Sequence, residues 1–313
     1  MTNAFVFPGQ GSQTVGMGKD LAEAFPEARA VFDEVDDALG QKLSTLMFEG
    51  PEEALTLTEN AQPALMAVSM AVMRVLEAKG FKLADSAQFV AGHSLGEYSA
   101  LCAAGAFSLS DAARLLRTRG QAMQKAVPVG KGGMAALLGL ELDQVREIAQ
   151  ACGVTAANDN APGQVVISGA MAGVDKALEL AKEKGAKRAL KLPVSAPFHS
   201  PLMQPAAQVM AEALAAVTVH VPVVPVVANV RVAPLTDPDD IRRALVEQVT
   251  GSVRWRESVE FMKQQGVTNL VEAGAGKVLA GLAKRIDRDL TALSLNSPAD
   301  IDSFLIGLTP QAD

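Results

Sequence analysis

The chain has 313 residues, enough at roughly 150 residues per domain for two compact units or for one large unit carrying an insertion. Apolar residues make up 49% and charged residues 20%, a globular balance that excludes disordered and fibrous classes. Lys and Arg total 28 against 35 Asp and Glu, a formal net charge of −7, so the surface as a whole repels nucleic acid and anionic lipid. With one Trp, one Tyr and eleven Phe, there is little stock for base stacking or a membrane-interface belt.

In chain order, Ala4 to Phe7 reads as a buried strand running into a glycine-rich loop, Pro8-Gly9-Gln10-Gly11-Ser12-Gln13. This start lacks a basic n-region and breaks at Pro8, so it does not read as a secretory signal, and a cytoplasmic location is the expectation. The loop has neither a Gly-Lys-Ser/Thr ending nor G-x-G-x-x-G spacing, which argues against phosphate binding. Helical periodicity follows from Asp20 through Leu39 and from Ala61 to Lys79. A short strand, Gln88 to Ala91, then leads through Gly92-His93-Ser94-Leu95-Gly96 into a small-residue helix, Glu97 to Ala104. Strand, sharp turn and helix in alternation predict an α/β sheet with parallel strands.

Between about Lys125 and Val194 the pattern becomes strand (Met134 to Gly139), helix (Asp143 to Cys152), strand (Val165 to Gly169), helix (Met171 to Gly185) and strand (Ala189 to Leu192). That order predicts an inserted α+β subdomain spanning 125–196, flanked by a large domain made of 1–124 and 197–313. Helix resumes from Pro201 to Ala216. The Val-rich run Val219 to Val230, interrupted by Pro222 and Pro225, is too short and broken to span a membrane, and Thr268 to Val271 reads as a strand. The tail after Gly307 is expected to fray. Cys102 and Cys152 lack zinc-site spacing and read as reduced, buried small residues.

The strongest local signal is Gly92-x-Ser94-x-Gly96 between strand and helix. A serine on such a turn is lifted above the sheet edge beside the amides of a helix N-terminus, which suits a nucleophile; the alternative is a merely structural turn. The chain offers three histidines as its base. His93 is adjacent to Ser94 and points elsewhere, His220 sits in an apolar run as a strand residue would, and His199 lies in a loop between Pro197 and Pro201. Elimination selects His199. More than a hundred residues follow it, whereas the histidine of an ordinary α/β-hydrolase comes near the chain end, and a plain esterase is disfavoured. Arg119 falls on the apolar stripe Ala112, Leu115, Leu116 and Met123 of a helix capped at Ser108, while Arg114, Arg117 and Gln121 take the other face. A buried guanidinium needs either an internal ion pair or a substrate carboxylate held by its planar fork, and spacing does not choose between them. The N–H of Leu95 and one from the first loop are suited to an oxyanion hole.

Taken together, Phe7-Pro8-Gly9-Gln10-Gly11-Ser12-Gln13, Gln62-Pro63-Ala64-Leu65, Gly92-His93-Ser94-Leu95-Gly96-Glu97, Arg119-Gly120, Asn160-Ala161-Pro162-Gly163-Gln164, Phe198-His199-Ser200 and Gln248 resemble the malonyl-CoA:acyl-carrier-protein transacylase family of bacterial fatty-acid synthesis, colinearly over nearly the whole length. The resemblance implies an α/β-hydrolase-like large domain with an inserted ferredoxin-like subdomain. It implies Ser94 as nucleophile, His199 as base and acid, amides of Gln10 and Leu95 as oxyanion hole, Arg119 on the malonyl carboxylate, and the main-chain carbonyl of Gln248 orienting His199, with its side chain of little consequence. Gln62 and Asn160 would support the pocket, and Phe198 favours malonyl over methylmalonyl. No cofactor or metal is implied. The expected partners are coenzyme A thioester and acyl carrier protein, with no nucleic acid and no membrane, and the chain is expected to be a monomer. A basic run, Lys182, Lys184, Lys187, Arg188 and Lys191, reads either as a solvated helix face or as a steering patch for an acidic carrier. The alternatives are an acyltransferase of a polyketide pathway and a serine thioesterase or esterase.

Overall fold

The computed structural model describes residues 2–194 and 196–308. Among these residues ten strands form two sheets: β1 (Asn3–Phe7), β2 (Ala87–Gly92), β3 (Gly132–Leu138), β4 (Thr155–Ala161), β5 (Gln164–Ala170), β6 (Arg188–Lys191), β7 (Val226–Val227), β8 (Pro234–Leu235), β9 (Asn269–Ala273) and β10 (Thr291–Leu295). The larger sheet has the order β10-β9-β1-β2-β7-β8. Its pairings are parallel except for the short antiparallel edge β7–β8. The central strand β1 is covered on both faces, with Ala4 to Phe7 inaccessible to solvent, as parallel strands between helical layers must be.

The helical block between β1 and β2 adds the short helices Leu43–Glu49, Glu52–Thr56 and Leu83–Ser86, which were not anticipated, and divides one expected helix in two. The periodicity from Asp20 to Leu39 is two helices, Lys19–Ala24 and Pro26–Leu39, separated by Phe25 at φ −132° and ψ 122°. The ring of Pro26 forbids helical geometry to the residue before it and then serves as the first helical residue itself. The next long helix, Thr58–Ala78, is buried over most of its circumference, so it is core rather than an amphipathic cover. Gly120 lets helix Leu109–Ala126 lie against it, since a Cβ there would come 2.5 Å from the Cα of Glu59. That approach brings the neighbouring Arg119 to Gln62.

The second sheet is antiparallel with the order β4-β5-β3-β6. Its element order is strand, helix, strand, strand, helix, strand, the ferredoxin-like arrangement. The reading of the sequence missed β4, because Thr-Ala-Ala-Asn-Asp-Asn-Ala has Thr155 as its one β-branched residue and no aromatic, and is rich in the Asn, Asp and Ala that strands disfavour. It is held by pairing with β5 and by a strap to the larger unit, where Val253 N–H donates to Ala157 O at 2.8 Å and Asp159 N–H to Val253 O at 3.0 Å.

Only Val226–Val227 of the Val-rich run pairs as a strand, Pro222 and Pro225 having no N–H to offer a ladder. Strand β10 and helix Pro298–Leu308 were not anticipated. The fraying expected of the tail concerns residues 309–313, which lie outside the described residues. Cys102 is buried, Cys152 partly so, and both are free. No described helix is long and apolar enough to cross a membrane.

Candidate active site

Strand β2 ends at Gly92 and the helix Gly96–Ala103 begins four residues on. Between them Ser94 has φ 54°, the left-handed region that costs a non-glycine residue about 1–3 kcal/mol. The flanking glycines are required by contact. A Cβ on Gly92 would lie 1.9 Å from the carbonyl of Gly96, and one on Gly96 would lie 2.2 Å from Phe7 O. The turn is thus pressed against itself and against the end of β1. Hydrogen bonds hold both sides of the strained residue. Ser94 N–H donates to Asn229 Oδ1 at 2.8 Å and Ser94 O accepts from Gln248 Nε2 at 3.0 Å.

Ser94 Oγ and His199 Nε2 are 2.7 Å apart. Nδ1 of the same ring lies 2.9 Å from Gln248 O and 3.1 Å from Gly251 O. Facing two carbonyls, Nδ1 must carry the proton, which leaves Nε2 as acceptor for the serine hydroxyl. His199 is itself at φ 56° and buried. Burial first, and then the charge of Arg119, pushes its pKa down to about 3, so the ring is neutral in the free protein. Neither of the other two histidines meets the Ser94 hydroxyl: His93 lines the same cavity but pairs with Asn160 Oδ1 at 2.8 Å and packs 5.8 Å from the Trp255 ring, while His220 is exposed. The structure therefore brings together the pair selected from the sequence.

Arg119 is 1% exposed. Its Nη1 donates to Gln62 Oε1 at 2.8 Å, and its Nη2 to Gln248 Oε1 at 2.9 Å and to Ser94 Oγ at 3.1 Å. Its carbon lies 5.8 Å from the centre of the Tyr98 ring, and its Nε has no partner among the described residues. All three acceptors are uncharged, so the internal ion pair left open by the sequence is not formed among the described residues. Arg117, assigned to the solvated face, is half-buried and bonds Asn60 Oδ1.

These groups line a cavity of about 280 Å³ between the two sheets. Gln10, Gln62, Ser94, Leu95, Arg119 and His199 face it from the larger unit, and Met134, Asn158, Asn160 and Val166 from the smaller, with Phe198 at the wall. Among the described residues, the backbone N–H groups of Gln10 and Leu95 donate to no protein acceptor. The side chain of Gln10 is fixed separately, its Oε1 accepting from Thr58 Oγ1 at 2.9 Å. No group of three or more His, Cys, Asp or Glu side chains is placed to hold a metal ion among the described residues. Sequence reasoning missed Asn229, Gly251 and the role of the Gln248 side chain, because each acts through a fold contact that no local spacing announces. Glu97, quoted only as part of a motif, is buried beside them.

A model of the acyl transferase domain matches residues 4–284, which defines the class. A solved acyl-carrier-protein-S-malonyltransferase from Bartonella henselae is 58% identical, covers 98% of this chain and 99% of its own, and superposes with a TM-score of 0.97. The malonyl CoA-acyl carrier protein transacylase of Escherichia coli is 50% identical over 306 residues, 96% of this chain and 98% of that protein. A malonyl-transacylase solved in complex with a type II polyketide-synthase acyl-carrier protein is 46% identical, covers 98% of this chain and 100% of its own, and has a TM-score of 0.94. The chain belongs to the malonyl CoA-acyl carrier protein transacylase family.

A base must be unprotonated to work, and its activity is lost as pH falls through its own pKa. With His199 lowered from 6.5 to about 3, single-turnover acylation at saturating thioester is expected to stay flat from about pH 8 down through 6.5. A fall centred at 6.5 would show that the ring titrates as an ordinary imidazole and is not desolvated.

Proposed function

We propose that the chain transfers the malonyl group of malonyl-CoA to the phosphopantetheine thiol of acyl carrier protein, through an ester on Ser94. The observation that carries this reading is a buried guanidinium, Arg119, that hydrogen-bonds no carboxylate among the described residues and lies in the cavity that also holds the Ser94–His199 pair. Ser94 Oγ attacks the thioester carbon while His199 Nε2 takes its proton. The amides of Gln10 and Leu95 receive the oxyanion. The intermediate collapses by breaking the carbon–sulfur bond, and His199 returns the proton to the departing thiolate of coenzyme A. The carrier thiol then repeats the two steps in reverse, giving its proton to His199 and releasing Ser94. Arg119 binds the malonyl carboxylate; an acetyl group offers the guanidinium no acceptor. The Gln248 carbonyl orients His199, and Gln62 holds Arg119.

The reading assigns the catalytic body to 1–124 and 197–313 and the cover of the pocket to 125–196. It takes the chain as a cytoplasmic monomer that needs no bound cofactor. Of the basic run, Lys182 pairs with Glu179, Lys184 with Glu147 and Lys191 with Asp175. Lys187 and Arg188, exposed and without ion pairs among the described residues, are left to steer an acidic carrier. The relative solved with a polyketide-synthase carrier supports a second acceptor class, a polyketide carrier, with unchanged chemistry.

Arg119→Ala is expected to lower kcat/KM for malonyl-CoA by about 10- to 100-fold more than for acetyl-CoA; equal losses would contradict its role. Reversing Lys187 and Arg188 to Glu should raise the KM for the carrier and leave hydrolysis of malonyl-CoA by water unchanged. A wild-type carrier KM in that variant would remove these two residues from the docking surface.

A further inference from the structure

The carboxylate associated with Arg119 does not touch it. Glu97, in the first turn of helix Gly96–Ala103, is 1% exposed. Its Oε2 accepts from Asn229 N–H at 2.9 Å and from Gln248 Nε2 at 3.0 Å. The same Gln248 amide donates to Ser94 O and accepts, through Oε1, from Arg119 Nη2 at 2.9 Å. A guanidinium can only donate and an ionised carboxylate can only accept, so an amide between them has one permitted orientation. Asn229 completes the frame, its Oδ1 accepting from Ser94 N–H and its Nδ2 donating to Gly92 O at 2.8 Å.

We propose that Glu97 is a positioning residue that neutralises Arg119 through the Gln248 amide, leaving the guanidinium free to take a substrate carboxylate. The proposal rests on the reading of Arg119 as the malonyl site. A carboxylate placed directly on Arg119 would occupy the N–H groups that the substrate needs, whereas a buried arginine with no counter-charge at all would be expensive. A counter-charge one amide away avoids both problems. The electrostatics agree: burial lowers the pKa of Arg119 and the Glu97 charge raises it, while burial lifts Glu97 to about 7 against the opposing pull of Asn229, Gln248 and Arg119.

Glu97→Gln separates charge from shape, because a glutamine oxygen can accept the same two hydrogen bonds. Binding of malonyl-CoA and acetyl-CoA would be measured by calorimetry at about pH 8 in a Ser94→Ala background, which blocks acyl transfer. With its counter-charge gone, Arg119 should hold malonyl-CoA about tenfold more tightly, with the Kd of acetyl-CoA unchanged. An unchanged malonyl-to-acetyl ratio, or weaker malonyl binding, would overturn the proposal. Loss of a merely structural residue would not tighten one ligand selectively. Gln248→Glu gives an independent readout, and the deciding one if Glu97→Gln does not fold. It sets a carboxylate against Arg119 and should weaken malonyl-CoA at least about tenfold more than acetyl-CoA; wild-type malonyl affinity would contradict the proposal. Arg119→Ala in the same background keeps the two ideas apart. If malonyl preference survives it, the Arg119 reading fails; if the preference is lost there but indifferent to Glu97→Gln, only the role of Glu97 fails.

Discussion

Ser94 occupies a left-handed backbone position in a turn where neither flanking glycine has room for a methyl group, and the chemistry of the pocket is built outward from that constraint. The turn persists because the fold holds it from several sides: Phe7 at the end of β1 presses on Gly96, Asn229 takes the Ser94 N–H, and Gln248 donates to its carbonyl. Backbone strain of this kind survives only where the surroundings over-determine it. Here the groups that stabilise the strain also hold the side chains around it. Gln248 orients His199 with its main-chain oxygen and Arg119 with its side-chain oxygen. The expectation that only its main chain would matter therefore understates it.

Burial sets the electrical state of the site. His199, desolvated and close to Arg119, is held neutral, which is the form a general base requires. A carboxylate on its Nδ1, as in a triad, would favour the imidazolium. The two carbonyls of Gln248 and Gly251 orient the ring without that charge. Arg119 is desolvated as well, and its hydrogen-bond acceptors Gln62, Gln248 and Ser94 are all uncharged.

Much of this was legible in the sequence where a residue's role is local. Gly92-x-Ser94-x-Gly96 between strand and helix announces the elbow because the steric demand falls on immediate neighbours. His199 followed by elimination because the chain has so few histidines. Arg119 was visible as a charge on an apolar stripe, and spacing stopped there: choosing between an ion pair and a free fork requires knowing that Gln62 and Gln248, from two other helices, are what it meets. Strand β4 was illegible because polar residues form it and pairing with β5 sustains it. Asn229 could not have been read, since its work is done 135 residues away from its place in the chain.

The proposed transfer depends on a covalent malonyl ester on Ser94 that the carrier thiol discharges. The most direct test is intact-protein mass after brief mixing with malonyl-CoA, with the Ser94→Ala variant in parallel, followed by addition of phosphopantetheinylated carrier protein. A malonyl-sized gain is expected on the unaltered chain only, lost when the carrier is added and recovered as the same gain on the carrier. An adduct on the Ser94→Ala variant, or one that water removes while the carrier gains nothing, would contradict it.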